Sequence, residues 1–229
     1  MKNQKVSKGR PVRSYVIRSS RITNSQRQAI RRLWDDNVIP FSGELLDLDG
    51  IFQNSLPITV EIGFGMGSSL IEMANKNSHA NFLGIEVHKP GIGKVLKDIE
   101  RQRINNLKLI CHDAAEVFNN AFKDNTLDRV LVFFPDPWPK KRHAKRRIIQ
   151  SKFVSKVSEK LKSNGCLHLA TDWSPYAEHM IEVLNEIPSL SNAIAPKVFW
   201  ENPARPETKF ERRGKKLGNK IWDLLYRKE

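Results

Sequence analysis

Short apolar runs alternate with longer amphipathic stretches along the middle of the chain. The apolar runs are rich in β-branched residues and predict five strands, at 58–62, 81–87, 107–111, 129–134 and 165–171. In the run 129–134 every residue after Arg129 is apolar, as expected for a strand that is buried on both faces of a sheet. Between the strands, apolar residues recur every three or four positions, for example across 91–104, which is typical of helices.

The helices predicted from this spacing separate successive strands. They cover 70–77, 91–104, a stretch through Val117, Phe118 and Ala121, a stretch from Ile149 to Leu161, and one that begins at Ser174 and Pro175. A further helix, capped by Asn24 or Ser25, precedes the first strand and carries Ala29, Ile30, Leu33 and Trp34 on one face. Five successive strand–helix units predict a parallel sheet with helices on both faces.

The rest of the chain has weaker patterns. Residues 36–56 and 188–202 are expected to be loops, and the tail 197–229 is expected to add the last strands, with one at 221–226. A length of 229 residues with 39% hydrophobic residues fits one domain with a sizeable core. We therefore expect a basic N-terminal arm and helix at 1–35, the arm partly disordered over 1–23, and a single domain at 36–229.

Positive charge is concentrated in three segments. Residues 1–34 contain ten Lys and Arg and no acid, residues 140–147 (the basic segment) contain six, and residues 205–229 contain nine against four acids. The net charge is +14, so the remainder of the chain is acidic. This segregation predicts a polyanionic partner, and nucleic acid is favoured over an anionic membrane surface or a merely solvated surface.

Several function classes are excluded or disfavoured. The mean hydropathy is −0.50 and no run of 18 apolar residues exists, so no spanning helix is predicted. Cys111 and Cys166 make neither a disulfide framework nor a metal pattern, and the histidines are scattered, so no metal site is predicted. The Arg- and Ser-rich N-terminus also fits a mitochondrial transit peptide, but a basic arm in a reducing compartment is the preferred interpretation.

Glycines and carboxylates follow the first three strands. The first strand ends at Glu61 and runs into Gly63, Gly65 and Gly67, which would let the backbone approach a nucleotide-like ligand. Glu86 ends the second strand, where a carboxylate can accept from ribose hydroxyls, and Asp113 follows the third. Glu61 would repel a pyrophosphate and attract a cation, which favours S-adenosylmethionine over NAD; the alternative is a plain tight turn.

Two more carboxylates follow the fourth and fifth strands. Three prolines at 135–139 (the proline turn) fix the backbone and present Asp136 and Trp138 beside the basic segment. Asp172 follows the fifth strand, where the alternative role is that of a helix cap alone. Because ligands of such sheets bind beyond the carboxyl ends of the strands, these residues are expected to share one rim.

These motifs together resemble one family. Seven segments, in order along nearly the whole chain, make it resemble the bacterial tRNA (guanine-N7)-methyltransferases. They are R-S-Y-V-I-R (13–18), V-E-I-G-F-G-M-G (60–67), F-L-G-I-E-V-H (82–88), C-H-D-A (111–114), F-F-P-D-P-W-P-K-K-R-H-A-K-R-R-I (133–148), A-T-D-W-S-P-Y-A-E-H-M (170–180) and R-P-E-T-K-F-E-R-R-G (205–214). The resemblance implies an α/β, Rossmann-like class I fold with a mostly parallel seven-stranded sheet. It also implies methyl transfer from S-adenosyl-L-methionine to N7 of guanosine 46 in the tRNA variable loop.

The resemblance also implies roles for particular residues. Glu61, Glu86, Asp113 and Asp136 would contact S-adenosylmethionine together with the three glycines, and Asp136 would be catalytic. Lys140, Asp172, Thr208, Lys209, Phe210 and Glu211 would contact the guanosine and its surroundings. The expected setting is cytoplasmic, with tRNA as partner, no metal, no membrane, no implied protein partner, and either a monomer or a homodimer.

The chemistry of guanine N7 suits these residue types. N7 has a free lone pair and no proton, so attack on a sulfonium methyl needs position and negative potential rather than a general base. Asp136, Asp172 and Glu211 could accept from guanine N1–H and the N2 amino group, and Trp138 or Phe210 could stack on an extruded base. The alternatives are a methyltransferase acting on another RNA nitrogen, a catalytically silent RNA-binding module, and a NAD-dependent reductase.

Overall fold

A computed structural model describes residues 12–16, 21–196, 198–201 and 203–229. Its strands are β1 (Ile58–Ile62), β2 (Asn81–Ile85), β3 (Leu107–Ile110), β4 (Leu127–Phe133), β5 (Leu161–Thr171), β6 (Leu190–Asn192) and β7 (Trp222–Lys228). They form one seven-stranded sheet in the order β3-β2-β1-β4-β5-β7-β6. β1 to β5 pair in parallel, and β7 is antiparallel to both β5 and β6. The mostly parallel seven-stranded sheet is therefore confirmed.

Helices cover both faces of the sheet. They are α1 (Asn24–Asn37), α2 (Leu48–Phe52), α3 (Ser68–Lys76), α4 (Lys89–Gln102), α5 (Ala114–Asn120), α6 (Ser151–Lys160), α7 (Ser174–Asn185) and α8 (Lys209–Lys216), with a 3₁₀ helix at Lys141–Arg146. One apolar cluster joins α1, α3 and α4 to one face, and a larger cluster joins α2, α5, α6 and α7 to the other. As predicted, β4 is buried on both faces over Val130–Val132.

The structure corrects several local predictions. Thr23, rather than Asn24 or Ser25, caps α1, because Gln26 at the third helical position completes a capping box with it. The helix predicted to begin at Ser174 does so, but its cap residue is Trp173 and not Ser174. The expected loop 36–56 contains α2, the expected loop 188–202 contains β6, and the tail contains α8 before its strand. Most of the arm at 1–23 lies outside the described residues.

Candidate active site

A cavity of about 320 Å³ opens at the edge of the sheet where the parallel strands end. This is within the usual range of ligand pockets, roughly 300–1,000 Å³. Its walls are Gly63 and Gly65 after β1, Glu86, Val87 and His88 after β2, His112 and Ala114 after β3, Phe134, Pro135 and Asp136 after β4, and Ser14, Tyr15, Val16 and Phe210 from the two ends of the chain. A groove of about 690 Å³ on the other side of β1 and β4 contains none of the predicted site residues.

Residues 63–67 form the glycine loop, which reaches the cavity from β1. Gly63, Gly65 and Gly67 have φ values of 69°, 57° and 72°, a backbone conformation that favours glycine. A Cβ at Gly67 would lie 2.1 Å from a methyl carbon of Val95, and a Cβ at Gly91 would lie 2.0 Å from the Gly65 carbonyl oxygen. The loop therefore packs directly on α4, and larger residues would push it out of place.

Glu86 fixes the glycine loop from the neighbouring strand. Its Oε2 accepts from the Gly65 N–H at 2.8 Å, and its Oε1 accepts from the Val87 and His88 N–H groups at 2.7 and 2.9 Å. A carboxylate offers about four acceptor positions, so three of them are used within the chain. The side chain can thus shape the cavity wall and still accept one hydrogen bond from a ligand.

Glu61 lies outside the cavity lining and is only 3% exposed. Its Oε2 has no hydrogen-bond partner within the described part of the chain. Burial, with a smaller contribution from the negative charge of Glu86, raises the pKa of Glu61 to about 8, and Arg205 opposes this rise. This raised pKa favours the protonated carboxyl group at neutral pH, and the predicted contact between Glu61 and S-adenosylmethionine stays a prediction.

Asp113 caps the helix that follows β3. Its Oδ1 accepts from the Ala115 N–H at 2.9 Å, and it lines a neighbouring cleft of about 270 Å³ instead of the main cavity. The adjacent His112 does line the main cavity, with its ring stacked on Phe41 at 4.2 Å. Sequence reasoning assigned no role to His112, or to Phe41, which packs on it without lining the cavity.

The backbone is strained on both sides of Asp136. Phe134 and Trp138 have φ values of 53° and 45°, in the left-handed region that non-glycine residues rarely adopt. The Phe134 N–H donates to the Ala170 carbonyl at 2.8 Å, which anchors the start of the proline turn on β5. Asp136 lines the cavity and is exposed to solvent. As expected, the turn presents this carboxylate on a constrained backbone.

Residues 12–16, here called the strap, lie beside the cavity, and the last three of them line it. Trp138 Nε1 donates to the Ser14 carbonyl at 3.0 Å, and Arg146 donates to the Arg13 and Tyr15 carbonyls, each at 3.0 Å. The Arg146 guanidinium carbon also stands 3.9 Å from the centre of the Trp138 ring. Trp138 is thus engaged within the chain, which leaves Phe210 as the more accessible aromatic side chain.

Some residues of the basic segment support the proline turn, and others are exposed to solvent. Arg147 Nε donates to the Pro137 carbonyl at 3.0 Å, so Arg147, like Arg146, supports the proline turn. Lys140, Lys141, Arg142 and Lys145 are exposed. Lys140 lies beside the turn but does not line the cavity.

Helix α8 brings the predicted substrate residues of the tail to the rim. Phe210 is 57% exposed and lines the cavity, and a Cβ at Gly65 would lie 3.8 Å from its ring. Farther along α8, Gly214 packs on Asp172, whose Oδ2 accepts from Asn219 Nδ2 at 3.2 Å. The helix therefore spans the distance between the glycine loop and the end of β5.

Thr208 and Glu211, also predicted to contact substrate, are engaged inside the chain. The Glu211 N–H donates to Thr208 Oγ1 at 3.0 Å, so the T-K-F-E motif forms the N-terminal cap of α8. Burial alone would raise the pKa of Glu211, but hydrogen bonds from Lys215 and Arg205 outweigh it and lower the pKa. Lys209 and Phe210, between them, are exposed.

Comparison with known proteins gives the same picture. The family model described as a putative methyltransferase matches residues 55–224. A tRNA (guanine-N(7)-)-methyltransferase of Photorhabdus laumondii is 47% identical over 220 residues, which cover 96% of this chain and 92% of that protein. This chain belongs to that methyltransferase family.

Solved structures support the fold of this family member. The 16S rRNA methyltransferase KamB matches 81% of this chain and 95% of its own, with a TM-score of 0.59 and 12% identity. A putative methyltransferase from Streptococcus mutans, solved in complex with SAH, matches 79% and 94%, with a TM-score of 0.52 and 11% identity. Among the described residues, no three His, Cys, Asp or Glu side chains are grouped to hold a metal ion, and no helix is long and apolar enough to cross a membrane.

Proposed function

We propose that this chain transfers the methyl group of S-adenosyl-L-methionine to N7 of guanosine 46 in the variable loop of tRNA. The observation that carries the proposal is a single cavity, in a chain 47% identical to a tRNA (guanine-N(7)-)-methyltransferase, that has the glycine loop and Glu86 on one side and Asp136 and Phe210 on the other. Residues 1–35 would serve as arm and helix, and 36–229 as one catalytic domain in the cytoplasm.

The cavity fits the methyl donor. The glycine loop leaves backbone room for a nucleoside, and Glu86 keeps one acceptor position for a ribose hydroxyl at the cavity wall. Asp113 and Glu61 would act indirectly, through neighbouring residues, because neither of them lines the cavity. When bound, S-adenosylmethionine supplies the methyl group as an electrophile on a positively charged sulfur.

Asp136 would orient the guanine and balance its developing charge. Guanine N7 has no proton to lose, so the purine becomes positively charged as the methyl group arrives. A carboxylate that accepts from N1–H and the N2 amino group holds N7 toward the donor and stabilises that charge. The strained backbone around Asp136 limits the positions that its carboxylate can take.

The remaining predicted substrate residues divide between base and phosphates. Phe210 would stack on the extruded guanine, since it is the exposed aromatic side chain at the cavity. Lys140 and Lys209 would contact phosphates, together with the exposed part of the basic segment. Asp172, Thr208 and Glu211 would hold α8 in place beneath them.

The decisive experiment supplies tRNA and S-adenosylmethionine with a labelled methyl group, followed by nucleoside analysis. We expect label in 7-methylguanosine, and none when guanosine 46 of the same transcript is replaced by adenosine. Label in another nucleoside, or in the substituted transcript at an equal rate, would contradict the proposed specificity. Asp136→Asn serves as the matched low-activity control.

A further inference from the structure

Arg205 is buried beneath the rim and donates three short hydrogen bonds. Its side chain is 4% exposed. Nε and Nη2 donate to the two carboxylate oxygens of Asp223 at 2.6 and 2.8 Å, and Nη1 donates to Glu211 Oε2 at 2.5 Å. This fork joins β7, which carries Asp223, to α8, which carries Glu211.

The same guanidinium lies against the strand that leads to the proline turn. Its central carbon is 5.0 Å from the centre of the Phe133 ring and 5.7 Å from that of Phe134. Phe134 is the strained residue that starts the approach to Asp136. One side chain therefore contacts both the helix that carries Phe210 and the strand end that leads to Asp136.

A second buried group completes this cluster. His168 on β5 pairs through Nε2 with Asp223 Oδ1 at 2.7 Å, and its ring meets Phe133 edge-on at 5.0 Å. Burial lowers the pKa of His168 and outweighs the opposite effect of Asp223. Asp223 is thereby held from two sides, so the position of Arg205 is set by the sheet itself.

Buried ion pairs of this kind are weak evidence for stability, because removing charges from water offsets much of their attraction. Their clearer effect is geometric, since a planar guanidinium that donates to three oxygens has one orientation. In this chain the guanidinium contacts Glu211 on α8, the helix that carries Phe210, and the two phenylalanines at the end of β4, which lead to Asp136.

We propose that Arg205 is a positioning residue for methyl transfer, which fixes α8, and with it Phe210, relative to the Asp136 turn. This inference rests on the proposed function for its substrate. Arg205 would not touch the guanine or the methyl donor itself. Loss of its fork should therefore slow the methylation step and leave binding of the methyl donor nearly intact.

The test compares Arg205→Lys with Lys160→Met. Lysine keeps the charge but cannot make the three-point fork. Lys160→Met breaks another ion pair, that of the largely buried Lys160 Nζ with the mostly exposed Asp124 at 2.6 Å, directly before the start of β5. For Arg205→Lys we expect kcat to fall about tenfold or more, because the guanine would be held in a less reactive position. The Kd for S-adenosylhomocysteine should stay within about twofold of the wild-type value. For Lys160→Met, kcat should stay at the wild-type value.

Hydrogen exchange gives a measurement that does not depend on activity. Amides of 209–217 and 133–138 should exchange faster in Arg205→Lys, while those of 89–102 should not change. Asp223→Asn is the second variant, in case the lysine variant does not fold, and it should show the same separation of kcat from Kd.

Each outcome is informative. An unchanged kcat and unchanged exchange in 209–217 would overturn the inference. So would a fall in kcat that is matched by an equal loss of S-adenosylhomocysteine binding, because that indicates a merely structural role. If wild type forms no 7-methylguanosine, the proposed function fails. In that case hydrogen exchange still tests whether Arg205 positions α8: faster exchange of α8 amides in Arg205→Lys supports this role, and unchanged exchange overturns it.

Discussion

Replacing Glu86 by Gln exchanges one carboxylate oxygen for an amide nitrogen and leaves the size of the side chain unchanged. In wild type the two oxygens accept from the N–H groups of Gly65, Val87 and His88. Glutamine satisfies two of these donors at most, with its oxygen facing Val87 and His88. Its NH₂ group then opposes the Gly65 N–H, so the glycine loop loses its anchor.

The size of the effect follows from this one contact. A hydrogen bond to a charged group contributes about 1.5–3 kcal/mol, and a buried donor left without a partner costs a similar amount. Because each 1.4 kcal/mol is a factor of ten in Kd, we expect S-adenosylhomocysteine to bind about 10- to 100-fold more weakly. Isothermal titration calorimetry measures this directly, with no need for tRNA or turnover.

Glu72→Gln is the matched control for this prediction. Glu72 is on the surface of α3, and within the described ranges its one ion pair is with Lys76 at 2.6 Å, one helical turn away. Such a pair contributes about 0.2–0.5 kcal/mol to the helix and should not alter the ligand Kd. A Kd for Glu86→Gln within about twofold of wild type would show that the loop anchor does not support binding of the methyl donor.

Three further predictions concern other parts of the site. Asp136→Asn should lower the single-turnover rate about 10²-fold, the usual effect of losing one preorganised electrostatic contact, and should leave tRNA affinity nearly unchanged. A wild-type rate in this variant would show that Asp136 has only a structural role. Replacing the exposed Lys141, Arg142 and Lys145 by Ala should reduce the slope of log affinity against log salt by about 0.7–0.9 per lost phosphate contact, and filter binding that shows an unchanged slope would contradict this. Folding raises the pKa of Glu61 from 4.5 to about 8, so between these pH values the folded state binds more protons than the unfolded state. The stability of wild type should therefore fall as pH rises from about 5 to about 8. Glutamine does not titrate, so urea unfolding should show Glu61→Gln gaining stability relative to wild type over the same pH range. A difference that does not vary with pH would mean that Glu61 is ionised in the folded chain.

The parallel half of the fold was predictable because buried parallel strands are apolar on both faces. The run 129–134 has that property after Arg129 and matches β4 within two residues. The run 58–62 matches β1, although it contains Thr59 and Glu61 between its β-branched residues. β5 begins four residues earlier than predicted, because Lys162, Ser163 and Asn164 are polar and largely exposed at its start. α2 and β6 contain five and three residues, too few for a hydrophobic period to identify them.

The rim of the site was predictable for a topological reason. Residues that follow parallel strands meet at one edge, so Glu86 and Asp136 were placed there without any knowledge of packing. Contacts between distant segments could not be predicted in this way. Arg146 binds backbone carbonyls more than 130 positions away, at Arg13 and Tyr15, and no local pattern marks it as different from Lys145.

The basic segment illustrates how one run of charge serves two physical purposes. Left-handed backbone at Phe134 and Trp138 costs about 1–3 kcal/mol at each residue and persists only where neighbouring contacts enforce it. Arg146 and Arg147 provide those contacts through Trp138 and the Pro137 carbonyl. The exposed lysines and Arg142 of the same segment face the solvent, where the proposed tRNA phosphates would lie. Under the proposed function, tRNA would therefore bind the segment that also constrains Asp136. Because guanine N7 needs positioning and has no proton to lose, that constraint is what the protein would contribute to methyl transfer.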